Sequence, residues 1–292
     1  MKPLLGLRAH DFGTLPADEL ALSIAASGAT CIQLALAKAL PGSHLLPGEF
    51  GEGGMFSIRE AFASHGLKVA VLGCYIDTVT PDLTEREFSL ARFEAHIDAA
   101  ASLGCHIIGT ETGSPIPYMH RTDGEEAAFQ VALESLFRLV KAAEERGVCV
   151  GVEPVAEFHA LSSAVHAKIM IEKFNSAALG IIFDPVNLVP SHGISDMTIF
   201  LDECFAAFGN HIVAIHAKDY QMIDGGQGLK KSGALPAGAG EMDWEGVFVR
   251  LINAGKSHVP ILLEEAGPEQ AGDAFEYLQK AWDNALDSIQ NE

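Results

Sequence analysis

A (β/α)8 TIM barrel, formed as a single domain over residues 1–292, is the fold this sequence predicts. Three observations carry it. Eight short runs rich in Val, Ile and Leu recur along the chain, and most lack the polar alternation of half-exposed strands, as strands covered on both faces should. Stretches with helical start and stop signals lie between them, and eight β-then-α units specify a parallel sheet at the number where such a sheet closes. No low-complexity linker divides the 292 residues, and a hydrophobic content of 48% supplies a large core. A doubly wound open sheet is the alternative, disfavoured because no GxGxxG or GxxxxGK[ST] loop follows any run.

The first run is Leu4–Leu7, and Thr14 is placed to start a helix over Leu15–Ser27 that stops at Gly28. Thr30–Leu34 is the second strand. The Gly- and Pro-rich segment Ala35–Met55 follows it, placed to form a lid or wall over the catalytic face. Lys68–Gly73 is the third strand, followed by a helix from Asp82 or Thr84 to Leu103 with its stop at Gly104. His106–Thr110 precedes a helix led by Asp123 and ended at Gly147, with Glu125 and Glu126 at its positive N-terminus. Cys149–Glu153 and Leu179–Asp184 are the fifth and sixth strands. Ser195 precedes a helix over Met197–Phe208, stopped by Gly209. Ile212–His216 is the seventh strand, and the long segment Tyr220–Glu241 forms a second wall. Asp243 then leads Trp244–Asn253 to a stop at Gly255, before the eighth strand, Pro260–Glu264. Glycine just before a strand is the left-handed helix stop that αβ loops favour.

The formal charge of −20, from 39 acidic and 19 basic residues, repels phosphate backbones and anionic membranes and argues against a nucleic-acid partner. The five cysteines are odd in number and form no CxxC pair, so neither a disulfide framework nor a thiolate zinc site is expected. That usage, a short apolar N-terminus broken by Arg8 and His10, and no run of membrane-spanning length together predict a cytoplasmic protein. Apolar stretches such as Ala35–Leu46 leave room for a homo-oligomeric contact.

In a barrel, residues at the C-terminal ends of the strands point into one site. Glu153 ends VCVGVE, Asp184 ends LGIIFD, His216 ends IVAIH and Glu264 ends PILLE: four metal-ligand types on four successive strands. Carboxylates at the ends of apolar runs are costly to bury unless paired or bound to a cation. An oxygen-rich set with one imidazole suits one divalent ion, Mn2+, Mg2+ or Co2+, with Zn2+ as a further candidate. Taken singly, each acid could instead cap the next helix, and His216 could be a satisfied core histidine. Glu265 competes with Glu264, and period-two alternation with Leu262 inward favours Glu264.

The strings GVEP, FDPVNL, IHAKD and ILLEE resemble the xylose isomerase-like barrel superfamily of sugar phosphate isomerases and epimerases, ketose epimerases, inosose dehydratases and endonuclease IV. The resemblance runs from LRAHDFG to ILLEEAG and is specific for fold and metal site rather than for substrate. It implies an enzyme of small sugars or sugar phosphates in which Glu153 and Glu264 both hold the metal and flank the substrate carbon. One glutamate would remove a proton next to a polarised carbonyl and the other return one to the resulting enediolate. His159, six residues after Glu153, stands where related epimerases carry a polar substrate contact. Asn187 stands where many relatives place a histidine; it can bind a substrate hydroxyl but is a poorer ligand for a second metal. Lys218 and Asp219 follow His216, the first to hold a substrate oxygen or phosphate, the second to orient His216 or pair with Lys218. Glu111 ends strand four and faces the site; Arg8 and His10 close strand one and Gln33 sits in strand two, each placed to reach a hydroxyl or merely to cap a loop. Trp244 covers a sugar face or anchors its helix, whereas His65, His96 and His166 are expected on the solvated surface. A lyase or dehydratase on a polyol ketone would share the enolate chemistry. An endonuclease IV-like hydrolase would need further histidines and a less acidic surface, and a non-enzymatic sugar-binding protein would have no need of the intact ligand set.

Overall fold

The computed structural model describes residues 2–42, 51–226 and 228–291. Eight parallel strands form a closed barrel: β1 (Leu4–Arg8), β2 (Cys31–Leu34), β3 (Lys68–Gly73), β4 (Ile107–Thr110), β5 (Cys149–Val152), β6 (Leu179–Phe183), β7 (Ile212–Ala217) and β10 (Pro260–Leu263). β10 closes the ring against β1, with Leu4 opposite Pro260 and Leu7 opposite Leu263. Around the barrel run α1 (Ala17–Ala25), α3 (Gly51–Ala63), α4 (Leu83–Leu103), α5 (Gly124–Arg146), α6 (Ala164–Phe174), α8 (Met197–Phe208), α9 (Trp244–Asn253) and α10 (Ala271–Asn291); the four-residue helices α2 (Leu36–Ala39) and α7 (Pro185–Leu188) sit at strand ends.

The inside of the barrel is built in layers by the period-two geometry of strands. Cys31, Val71, Ile182, Ala214 and Leu262 form the middle layer. Glycines stand where this layer leaves no room: a Cβ on Gly109 would lie 2.8 Å from Ile182 Cδ1, and one on Gly151 2.9 Å from Ile182 Cγ1. Ile182 thus fills space that two neighbouring strands vacate. Two residues further along, the chain turns Arg8, Gln33, Glu111, Glu153, Asp184, His216 and Glu264 to the C-terminal mouth. Between strands and helices lies the main core, where Phe248 packs tilted against Trp244 and edge to face with Trp282, with centroids 5.6 and 5.2 Å apart.

Several helix ends differ from the sequence expectation. α1 starts after Pro16, and the Thr14 hydroxyl donates to Lys38 O instead of capping it. Asp196, not Ser195, caps α8 by accepting from Ile199 N–H. Asp82 caps α4, but Asp123 pairs with Arg121 and caps nothing. Gly104 and Gly147 adopt the expected left-handed stop, Asn175 provides it for α6, and Gly209 opens a turn in right-handed geometry. The segment from Ala35 to Met55, expected to form a lid or wall, contains α2 and the first turn of α3; residues 43–50, and with them the last four residues of the expected Ala35–Leu46 contact, lie outside the described residues.

The second wall is observed. β8 (Met222–Asp224) and β9 (Leu229–Lys231) form an antiparallel hairpin after β7. Lys231 Nζ donates to Val186 O and Val189 O, which ties the hairpin to the end of α7. The buried Asp219 carboxylate accepts from the backbone N–H groups of Tyr220, Gly238 and Met242 and so pins the return of this wall.

His96 is not on the surface: it is 5% exposed on α4 with Nδ1 2.8 Å from Arg92 O. His65 is half-buried, and His166 stacks on Phe129 at 4.2 Å. Burial lowers the His96 pKa to about 4, against the hydrogen bond to the Arg92 carbonyl, which favours the protonated ring. The unfolded chain therefore binds the proton first, and stability that is fully present above about pH 6.5 is lost as pH falls toward 4. The loss should reach about 3 kcal/mol. His96→Gln should remove that part of the slope, read as the difference between the two proteins in denaturant midpoints across a pH series.

Candidate metal centre and active site

Glu153, Asp184 and Glu264 each lie one residue past the end of their strand, and His216 lies inside β7. All four are at most 4% exposed. His216 Nδ1 is 3.0 Å from Glu153 Oε2 and 3.3 Å from Glu264 Oε1. Single ligand atoms of Glu153, Asp184 and His216 fall within 4.8 Å of one another. Glu265 takes a left-handed backbone (φ 57°), turns outward and pairs with Arg8, so Glu264 alone of the two enters the cluster.

The remaining carboxylate oxygens are held by protein. Lys218 Nζ sits 2.7 Å from Asp184 Oδ2 and 2.9 Å from Glu264 Oε2. Arg8 reaches Glu264 Oε1 at 3.2 Å while also holding Asp11 and Glu265. Asn187 Nδ2 donates to Glu153 Oε1 at 2.6 Å. Burial would lower the His216 pKa, but Glu264 and Glu153 raise it to about 9. Burial opposes ionisation of Glu264, and His216, Lys218 and Arg8 outweigh it, holding that carboxyl well below its usual range. Asp184 goes the other way, raised to about 6 by burial against the pull of Lys218.

This donor set fits a divalent cation on three counts. Donor atoms from four strands converge on one point: His216 Nδ1 lies 3.0 and 3.3 Å from the two glutamates, and Asp184 offers an oxygen within 4.8 Å of His216 and Glu153. Three carboxylates face Lys218 and Arg8, and Arg8 is shared with Asp11 and Glu265, so acidic groups outnumber the fixed cations around them. His216 Nδ1 is buried without a hydrogen-bond partner and faces both glutamates, so a cation can take the place of its proton there.

The other expected site residues fall into two groups. Glu111 and His159 stand together at the mouth, with His159 Nε2 3.5 Å from Glu111 Oε2 and its Nδ1 accepting from Gly113 N–H. Burial, then Glu153 and Glu264, raise Glu111 to about 7. His10 lies on the turn after β1, its pKa lowered to about 4 by burial and Arg8. The second group is committed within the protein. Asp219 neither pairs with Lys218 nor reaches His216, because three backbone donors occupy it. Lys218 is 5% exposed and spent on two carboxylates rather than turned to a substrate oxygen. Gln33 is 1% exposed and lies under His216 with its amide engaged at both ends, so the expected hydroxyl contact has no free amide atom. Trp244 is buried and donates its indole N–H to Lys218 O, which makes it a helix anchor rather than a cover for a sugar face. Tyr75, just past β3, carried no signal in the sequence: its position in LGCYI gives no sign that its hydroxyl meets Gln33.

A family model described as xylose isomerase-like TIM barrel matches residues 22–281. Among solved structures, a xylose isomerase-like TIM barrel protein from Mycobacterium smegmatis in complex with magnesium is 20% identical, covers 98% of each chain and superposes with a TM-score of 0.71. A 3-keto-D-glucoside 4-epimerase from E. coli is 16% identical over 96% of this chain and 100% of its own, with a TM-score of 0.72. A D-psicose 3-epimerase from Clostridium cellulolyticum, solved with D-tagatose, is 14% identical over 100% of this chain and 99% of its own, with a TM-score of 0.68. At these identities the likeness establishes the fold. No curated protein sequence matches the chain. Among the described residues no helix is long and apolar enough to cross a membrane.

Proposed function

The chain belongs to the xylose isomerase-like TIM barrel family, and on that premise we propose that it is a divalent-metal-dependent isomerase or epimerase of a sugar or sugar derivative. The observation that carries this reading is the buried cluster in which Glu153 and Glu264 flank His216 Nδ1 beside Asp184. Glu153, Asp184, His216 and Glu264 would hold the ion. When bound there, a divalent ion polarises a carbonyl oxygen and makes the neighbouring C–H acidic. Mn2+, Mg2+ or Co2+ suits the oxygen-rich donors, with Zn2+ also compatible, and the magnesium-bound neighbour supports that range.

The protein's own residues then divide the work. One of Glu153 and Glu264 takes the proton beside the carbonyl, and the other returns a proton at the next carbon or on the opposite face. Lys218 and Arg8 keep Glu264 ionised, and the Asn187 amide fixes the orientation of Glu153. His159 and Glu111 line the mouth where substrate hydroxyls would be read, and His10 lies on the turn after β1. The two epimerase neighbours support a carbonyl sugar as the substrate class, and the charge of −20 weighs against DNA hydrolysis. Glu111 favours a second reading, loss of water from a polyol ketone: its carboxyl, pushed up by burial, stands at the mouth beside His159, where it would donate a proton to a departing hydroxyl.

Incubation with Mn2+ or Mg2+ and a panel of free and phosphorylated ketoses in D2O tests both. Deuterium at the carbon next to the carbonyl, with product of unchanged skeleton, is the expected result. A product lighter by one water would select the dehydratase, and no exchange with any ketose would sink both readings. Metal analysis should give about one ion per chain, and chelation should stop the exchange.

A further inference from the structure

We infer that Gln33 is a positioning residue that fixes His216 as an Nδ1 metal ligand, and that Tyr75 in turn fixes Gln33. The inference deepens the proposed metal-site reading and rests on it. His216 Nε2 lies 2.8 Å from Gln33 Oε1, fully buried, across a sequence separation of 183 residues. Gln33 Nε2 lies 2.5 Å from the Tyr75 hydroxyl. The other ring nitrogen, Nδ1, faces Glu153 and Glu264 and has no hydrogen-bond partner.

The direction of every proton in this chain follows from one requirement. A neutral imidazole that offers the Nδ1 lone pair must carry its proton on Nε2. That N–H is buried and needs an acceptor, and the Gln33 carbonyl oxygen is the atom that supplies it. The amide is then oriented, with its NH2 toward Tyr75, whose hydroxyl oxygen accepts. Two further contacts hold Tyr75 in place: Arg92 donates to its backbone carbonyl, and the Lys38 ammonium lies 4.1 Å from the ring centroid. A glutamine suits the place better than a fourth carboxylate for one reason: it accepts from Nε2 without adding charge to a cluster that already holds three buried acids.

The test is the Mn2+ dissociation constant of the full-length protein, with the imidazole nitrogen signals of His216 recorded in the Mg2+ form. Gln33→Leu should weaken Mn2+ binding by about 10–100-fold, the usual cost of removing such a partner. Gln33→Glu restores an acceptor for Nε2 and should bind within a few-fold of the parent. Tyr75→Phe should fall between them. The nitrogen spectrum should show the proton on Nε2 in the parent and in Gln33→Glu. Unchanged affinity in Gln33→Leu, equal losses in Gln33→Leu and Gln33→Glu, or a proton on Nδ1 would each overturn the inference. Parent protein that binds no Mn2+ would instead bring down the metal-site reading itself, whereas parent protein that binds it and is indifferent to Gln33 would bring down this step alone.

Discussion

Glu153→Gln and Glu264→Gln should each lower solvent deuterium incorporation into the substrate by about 100- to 10,000-fold, the range over which a positioned acid or base contributes. Glutamine keeps the size of the side chain and one carbonyl oxygen as a ligand, so the barrel should stay folded and take up Mn2+ more weakly. That weakening must be separated from loss of proton transfer, and Asp184 supplies the control. It belongs to the same buried cluster, with one oxygen on Lys218 and the other accepting from Asn187 N–H. Asp184→Asn should therefore lose affinity and recover activity as Mn2+ is raised to saturation. The two glutamate variants should stay inactive at saturation. If excess Mn2+ restores exchange in either of them, that glutamate is a ligand and not the proton carrier. A difference between the two is also expected in binding, because Glu264→Gln leaves Lys218 and Arg8 facing a neutral amide, whereas Glu153→Gln deprives only His216 and Asn187 of charge.

The strand-end acids were legible because two periodicities overlap in them. Each of Glu153, Asp184 and Glu264 closes a short apolar run, and each stands two residues beyond a middle-layer position, Gly151, Ile182 and Leu262. The same alternation separated Glu264 from Glu265. What could not be read were the contacts between distant strands. Gln33 on β2 and His216 on β7 meet in the interior although β1 and β10 lie between their strands, and nothing local in TCIQL distinguishes an amide that holds a ligand from one that reaches a hydroxyl. Asp219 was misread for a different reason. Its spacing from His216 suggests a direct partner, but the residue after a strand-end lysine faces the returning loop, where Gly238 and Met242 bring backbone N–H groups to it. Helix starts at Thr14 and Ser195 failed because a neighbouring Pro16 or Asp196 took the cap position, a choice between adjacent residues that depends on the angle at which the chain enters the helix.

Lys218→Met should destabilise the metal-free protein by about 3–5 kcal/mol, the usual cost of leaving a buried charge without its partner. For a chain of this length that is a fall of roughly 10 °C in Tm. The side chain is 5% exposed, and its ammonium group touches carboxylates from two strands, Asp184 after β6 and Glu264 after β10. Methionine fills nearly the same volume, so the loss reports charge rather than packing. Two opposing effects then act on the ion. Removing a neighbouring positive charge favours binding of a divalent cation, while freeing Asp184 Oδ2 and Glu264 Oε2 lets both carboxylates rotate out of one-oxygen coordination. The first is a Coulomb effect in a site from which water is largely excluded, and the second costs the orientation of two short, well-packed side chains, so the charge effect should prevail. Saturating Mn2+ should accordingly raise the Tm of Lys218→Met by more than it raises the parent's, and close most of the gap between them. A gap that stays constant with and without Mn2+ would mean that Lys218 supports the barrel rim and does not share the charge of the metal centre.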